Sequence, residues 1–147
     1  MLMLLAFKGY GLTHEQKIVA LTILGEARGE GKAGMYAVAC VIEQRSWNRK
    51  LALSKVCVEK EQFSRWNKRG HQDWILQHDN LLWTPQAPYA LSLAMKMIDG
   101  SERGKQGLKL SWIKNAVHYC NVNINNYWTR GRKPVAIIGR HKFYKLR

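Results

Sequence analysis

The chain has 147 residues, 46% of them hydrophobic and 23% charged, the proportions of one soluble domain with a self-standing core. Its 24 Lys and Arg against 10 Asp and Glu give a formal net charge of +14, which excludes an acidic solvating tail and predicts attraction to polyanions: nucleic acid, anionic lipid or anionic wall polymer. Three cysteines, Cys40, Cys57 and Cys120, include no CxxC pair and leave an odd thiol after any single bridge, so a disulfide scaffold is excluded as well.

In chain order, residues 1–11 read as an N-terminal extension of a single domain spanning 1–147. The Met1–Phe7 run is too short for a secretory apolar region and no stretch approaches the ~20 apolar residues that span a bilayer, so synthesis in the bacterial cytoplasm without a signal peptide is expected. Thr13 with Gln16 three residues later is a capping-box signature, and it predicts a helix over His14–Ala27. That helix is apolar on most faces and is therefore expected to be central. Gly29, Gly31 and Gly34 are expected to break or bend the chain before a second helix from Met35 to about Trp47. A short helix follows Ser54, Glu61–Asn67 reads as a loop, and a third long helix is placed over Gln72–Leu82. The next begins with Thr84 as N-cap and Pro85 in first helical position and ends at Gly100, burying Ala87, Ala90, Leu91, Ala94, Met97 and Ile98. From Arg103 onward there are eleven Lys and Arg and no Asp or Glu, and the segments Val117–Val122 and Val135–Ile138, the latter leading through Gly139 to Tyr144, read as short strands. The fold class is α+β, mainly helical, with a small extended region in the C-terminal third.

With ten acids in the chain, few residues can serve as an acid or base. At 100° per residue Glu26 projects beside Val19, Thr22 and Ile23, on a largely apolar face at the end of the first helix. Desolvation and the negative end of the helix dipole both disfavour a carboxylate there. A carboxylic acid kept protonated is what general-acid cleavage of a glycosidic bond requires. The plain alternative is a helix-end glutamate that faces solvent or pairs with Arg28.

The segment Leu24–Gly31 (LGEARGEG), followed by Gly34, Ala37, Val38, Ala39 and Val41, resembles the opening motif of the SleB-type cell wall hydrolases, the spore-cortex-lytic enzymes and their phage-encoded relatives. Gln62-Phe63-Ser64, Trp66, His118-Tyr119, Trp128 and Ile138-Gly139 with His141, Phe143 and Tyr144 agree in order, so the resemblance covers about Leu12 to Tyr144. Two positions depart from it: Val117 stands where the family has threonine before His-Tyr, and Arg140 where it has asparagine before the late histidine. The resemblance implies a lysozyme-like fold and cleavage of peptidoglycan between N-acetylmuramic acid and N-acetylglucosamine as a lytic transglycosylase, without a cofactor. It assigns general acid/base work to Glu26, which protonates the glycosidic oxygen and then assists attack by the sugar's own 6-hydroxyl. Substrate contacts fall to Gln62, Phe63, Ser64, Trp66, His118, Tyr119 and Trp128, with Glu30, His141 and Tyr144 as further candidates. Glu30, four residues from Glu26, either couples to it by like-charge repulsion or caps the next turn, and Asp73 and Asp79 are weaker second carboxylates. Trp47, Trp74, Trp83 and Trp112 are read as packing residues.

Two rivals stand beside this reading. A zinc amidase that cuts the lactyl-peptide amide needs three protein ligands, and His71, His118 and His141 are the least unsuitable set, with no HExxH helix present. A nucleic-acid-binding module would use the acid-free region 103–147 with Trp112, Tyr119, Tyr127 and Trp128 interleaved, but no recognised binding motif accompanies the charge. Bacterial peptidoglycan, approached through an anionic envelope surface by the basic C-terminal third, is the expected partner. The chain is expected to be a monomer that binds no specific nucleic acid. Without a signal peptide, a phage endolysin that reaches the wall through a separate membrane pore fits best.

Overall fold

The computed structural model describes residues 11–59 and 79–146. Helix α1, His14–Ala27, starts as expected: the Thr13 hydroxyl accepts from the Gln16 amide at 3.1 Å while the Gln16 side chain accepts from the Thr13 amide at 2.9 Å. Ile18 through Leu24 are all buried, and the helix packs against α2 (Gly31–Arg49), α3 (Leu53–Val58) and α4 (Ala87–Glu102). A nearly all-apolar helix is the one element that can be enclosed on every side. Its one buried hydroxyl, Thr22, donates to the Ile18 carbonyl at 2.7 Å.

Two helix boundaries differ from expectation. The chain does break at the glycines, where a 3-10 turn, Arg28–Glu30, and Gly31 with φ +74° divide α1 from α2, but α2 begins at Gly31 rather than Met35, so Gly34 is helical. Helix α4 starts at Ala87 with Gln86 as N-cap and Pro88 in the first turn. Thr84 is not its cap, because its hydroxyl closes the preceding 3-10 turn (Asp79–Trp83) by donating to the Leu81 carbonyl at 2.6 Å. At the other end α4 runs two residues past Gly100, and its expected inner face is buried except for the half-buried Ile98. Of the helix expected over Gln72–Leu82, only the part from 79 on lies within the described residues.

The tryptophans read as packing residues are largely outside the core. Trp47 is 46% exposed, Trp83 61% and Trp112 44%; each sits at a helix end or in a 3-10 turn, where the side chain leaves the packed face. Trp74 lies outside the described residues.

A three-stranded antiparallel sheet closes the fold, in the order β1-β3-β2, with β1 at His118–Asn121, β2 at Ala136–Ile138 and β3 at His141–Tyr144. Tyr119 pairs with Phe143 and His118 with Tyr144. Because side chains alternate, Tyr119, His141 and Phe143 share one face, and His118 and Tyr144 the other. Phe143 is fully buried and joins the sheet to the helical core. The buried Arg45 of α2 donates from Nε to the Val117 carbonyl at 2.7 Å, which ties the start of β1 to the helices. Among the described residues, no helix is long and apolar enough to cross a membrane.

Candidate active site

The last turn of α1 and the following 3-10 turn form a cleft of about 260 Å³, lined by residues 24–30 and by Arg140 from the β2–β3 turn. Glu26 is half-buried in it, beside the buried Val19, Thr22 and Ile23 that helical spacing predicted. Across the fold, the Tyr119 hydroxyl donates to Glu26 Oε2 at 3.0 Å. Burial pushes the Tyr119 hydroxyl well above its ordinary pKa, and the neighbouring Glu26 charge pushes it the same way, so Tyr119 stays a neutral donor at physiological pH. Its ring is held by His141, at 5.0 Å between centroids, and by Phe143 at 5.7 Å.

Glu30, four residues on, has a different setting. Its Oε2 accepts from the Arg140 amide at 3.0 Å and its Oε1 from Arg140 Nε at 2.9 Å, and its side chain is only 8% exposed. The amide hydrogen bond and the guanidinium hold this carboxyl below the ordinary range against a smaller opposing effect of burial. Two glycines make the arrangement fit. A Cβ on Gly34 would stand 2.3 Å from Glu30 Cβ, and one on Gly139 would stand 2.5 Å from Glu30 Oε2. Gly139 also has φ +58°, which side chains disfavour. Glu30 holds the N-cap position of α2 without a side-chain cap hydrogen bond; its carboxylate instead fastens the hairpin turn to the helices.

His141 is 9% exposed and its Nδ1 has no hydrogen-bond partner among the described residues. Burial lowers its pKa, as it does that of His118, so both imidazoles are neutral at pH 7. His118 lies on the opposite face of the sheet, where Trp128 sits between it and Tyr144, with centroid distances of 5.7 and 5.3 Å.

The sequence candidates thus divide into groups. Glu26, Glu30, Tyr119 and His141 converge on the cleft side, whereas His118, Trp128 and Tyr144 form an aromatic cluster behind the sheet. Tyr144 is 3% exposed and packs rather than presenting a surface. Gln62, Phe63, Ser64 and Trp66 lie outside the described residues, as do His71 and Asp73. Asp79 is exposed on its 3-10 turn. The histidines proposed for zinc, His118 and His141, point to opposite faces of one sheet and cannot meet at one ion. Sequence reasoning missed Arg140 as a site residue and Arg45 as the tie that holds the start of β1. An arginine inside the apolar α2 was a visible signal for Arg45; Arg140 stood out only as a departure from the family pattern.

The family model of the cell wall hydrolases matches residues 29–144. The chain belongs to this cell wall hydrolase family. The match includes Glu30, Tyr119, Gly139, Arg140 and His141, while Glu26 stands three residues before its first position. No curated protein and no solved structure matches the chain. As a cell wall hydrolase it acts on peptidoglycan, and the mainly helical α+β architecture agrees with the fold class expected from the sequence.

Proposed function

We propose that this cell wall hydrolase cleaves the glycosidic bond between N-acetylmuramic acid and N-acetylglucosamine as a lytic transglycosylase, with Glu26 as its acid and base. The observation that carries the reading is the hydrogen bond from the neutral Tyr119 hydroxyl to Glu26 Oε2 in a cleft whose other carboxylate, Glu30, is engaged by Arg140. Tyr119 fixes the rotamer of a carboxyl group that then has to move one proton twice. Protonated Glu26 gives its proton to the glycosidic oxygen as the C1–O bond breaks. The carboxylate then takes the proton of the same sugar's 6-hydroxyl as that oxygen closes on C1, leaving a 1,6-anhydro end and consuming no water. One carboxyl suffices for this cycle, whereas two-carboxylate hydrolysis needs a second placed for a nucleophile or a water.

The net positive charge supports the same substrate. Peptidoglycan carries peptide carboxylates, and the exposed Arg130, Arg132 and Lys133 belong to a C-terminal third without acids, so approach to an anionic wall is steered by long-range attraction that salt weakens. The biological setting that suits these features is a phage endolysin, made in the host cytoplasm and released to the wall through a separate membrane pore.

Mass spectrometry of the products released from purified sacculi tests the chemistry. Anhydro-muramyl ends are the expected result, reducing muramic ends would make the protein a hydrolytic muramidase, and free stem peptides would make it an amidase.

A further inference from the structure

A second groove, of about 320 Å³, lies where the first two turns of α2, the first turn of α4 and the 3-10 turn Leu110–Ile113 meet, and it is lined by Lys32, Ala33, Tyr36, Tyr89, Lys109 and Trp112. Its aromatic wall is held in place. The Tyr36 hydroxyl accepts from the Lys109 amide at 2.8 Å, and the Tyr36 and Trp112 rings meet edge to face with centroids 5.5 Å apart. Lys32 Nζ stands 5.4 Å from the centre of the Tyr89 ring. Trp112 is 44% exposed, an orientation that core packing does not require.

Fixed aromatic surfaces flanked by two ammonium groups suit a ligand with both a flat C–H face and a negative substituent. A simple polyanion would leave the rings unused, and a neutral glycan would leave the lysines unused. We propose that this groove is a second, non-catalytic site for wall glycan, in which an aminosugar ring packs on Trp112 while a stem-peptide carboxylate meets Lys32 and Lys109. The proposal rests on peptidoglycan being the substrate and is independent of whether the cleavage leaves anhydro or reducing ends. Lys32 stands only two residues beyond Glu30 of the cleft, so the groove begins at the same end of α2. Binding energy gained there is equal in ground and transition states; it tightens hold on the polymer without speeding bond cleavage.

The test uses the full chain in a Glu26→Gln background, so that binding is read without turnover, by co-sedimentation with purified sacculi. Trp112→Ala is expected to weaken binding by about threefold to tenfold, Trp112→Phe to restore most of it, and Lys32→Ala with Lys109→Ala to weaken it by a similar factor. In the active protein, Trp112→Ala is expected to raise KM on sacculi and leave kcat unchanged. Unchanged sacculus affinity in Trp112→Ala overturns the proposal. So does a lower kcat, which would make Trp112 a support of the cleft. A lysine effect without a tryptophan effect, abolished by salt, reduces the groove to surface charge. Loss of single-stranded DNA binding in Trp112→Ala with sacculus binding intact assigns the groove to nucleic acid instead. Absence of anhydro products from the wild-type protein would defeat the transglycosylase reading and leave these binding results standing.

Discussion

The last turn of α1 and the 3-10 turn after it each hold a glutamate, four residues apart, and the two are partnered in opposite ways. Glu26 meets a neutral hydroxyl that holds it without cancelling its charge. Glu30 meets an amide and a guanidinium that keep it ionised, and glycines at 34 and 139 let the backbone close around it. The difference teaches that proximity in sequence does not make a carboxylate pair. A carboxyl held by a neutral hydroxyl suits chemistry, and one held ionised by a cation suits fastening.

The comparison breaks first at Glu26. Glu26→Gln is expected to lower the rate of glycan release from sacculi by about 10²–10⁴-fold, the usual loss for a removed general acid, while thermal unfolding and sacculus adsorption stay nearly unchanged. If the variant keeps full activity and a chelator abolishes it, the metal amidase reading replaces this one. Tyr119→Phe removes only the hydroxyl that orients the carboxyl; a hydrogen bond to a charged group contributes about 1.5–3 kcal/mol, so kcat should fall about tenfold to hundredfold with little change in KM.

Glu30→Gln sharpens the contrast from the other side. Its guanidinium partner is 67% exposed and solvent screens that part, so the expected cost is about 1–2 kcal/mol of stability, read as a lower chemical-denaturation midpoint, with a smaller loss of activity than in Glu26→Gln. An equal or greater loss of activity in Glu30→Gln would reverse the two roles.

The smallest effect is in the pH dependence of stability. His118 and His141 have folded pKa values below the ordinary 6.5, so the native state takes up fewer protons than the unfolded chain; stability is full above about pH 6.5 and declines as pH falls below it. Glu30 is held below its ordinary 4.5, so its contribution is complete above that value and is lost further into acid. Thermal scans across this range should show the first decline weakened in His141→Phe and the second weakened in Glu30→Gln.

Much of the helical half was legible because its causes are local. The Thr13–Gln16 box fixes the start of α1, and helical periodicity alone puts Glu26 beside Val19, Thr22 and Ile23. The misreadings have tertiary causes. Gly34 looked like a breaker, yet its missing Cβ makes room for Glu30 inside a continuous helix; Thr84 looked like a cap, yet its hydroxyl was already used by Leu81. Strand order was not legible, since nothing local tells that β3 pairs on both sides. Alternation along β1 already separates His118 from Tyr119, but which of them faces Glu26 depends on how the sheet docks.

Tyr119 lies 93 residues along the chain from Glu26, and Arg140 lies 110 from Glu30. Contacts of such separation are the slow ones to form. During synthesis Glu26 and Glu30 emerge early and wait for their partners, so the cleft gains its Tyr119 and Arg140 contacts only after β1 and the β2–β3 hairpin have followed, and a product that stops short of β1 lacks both.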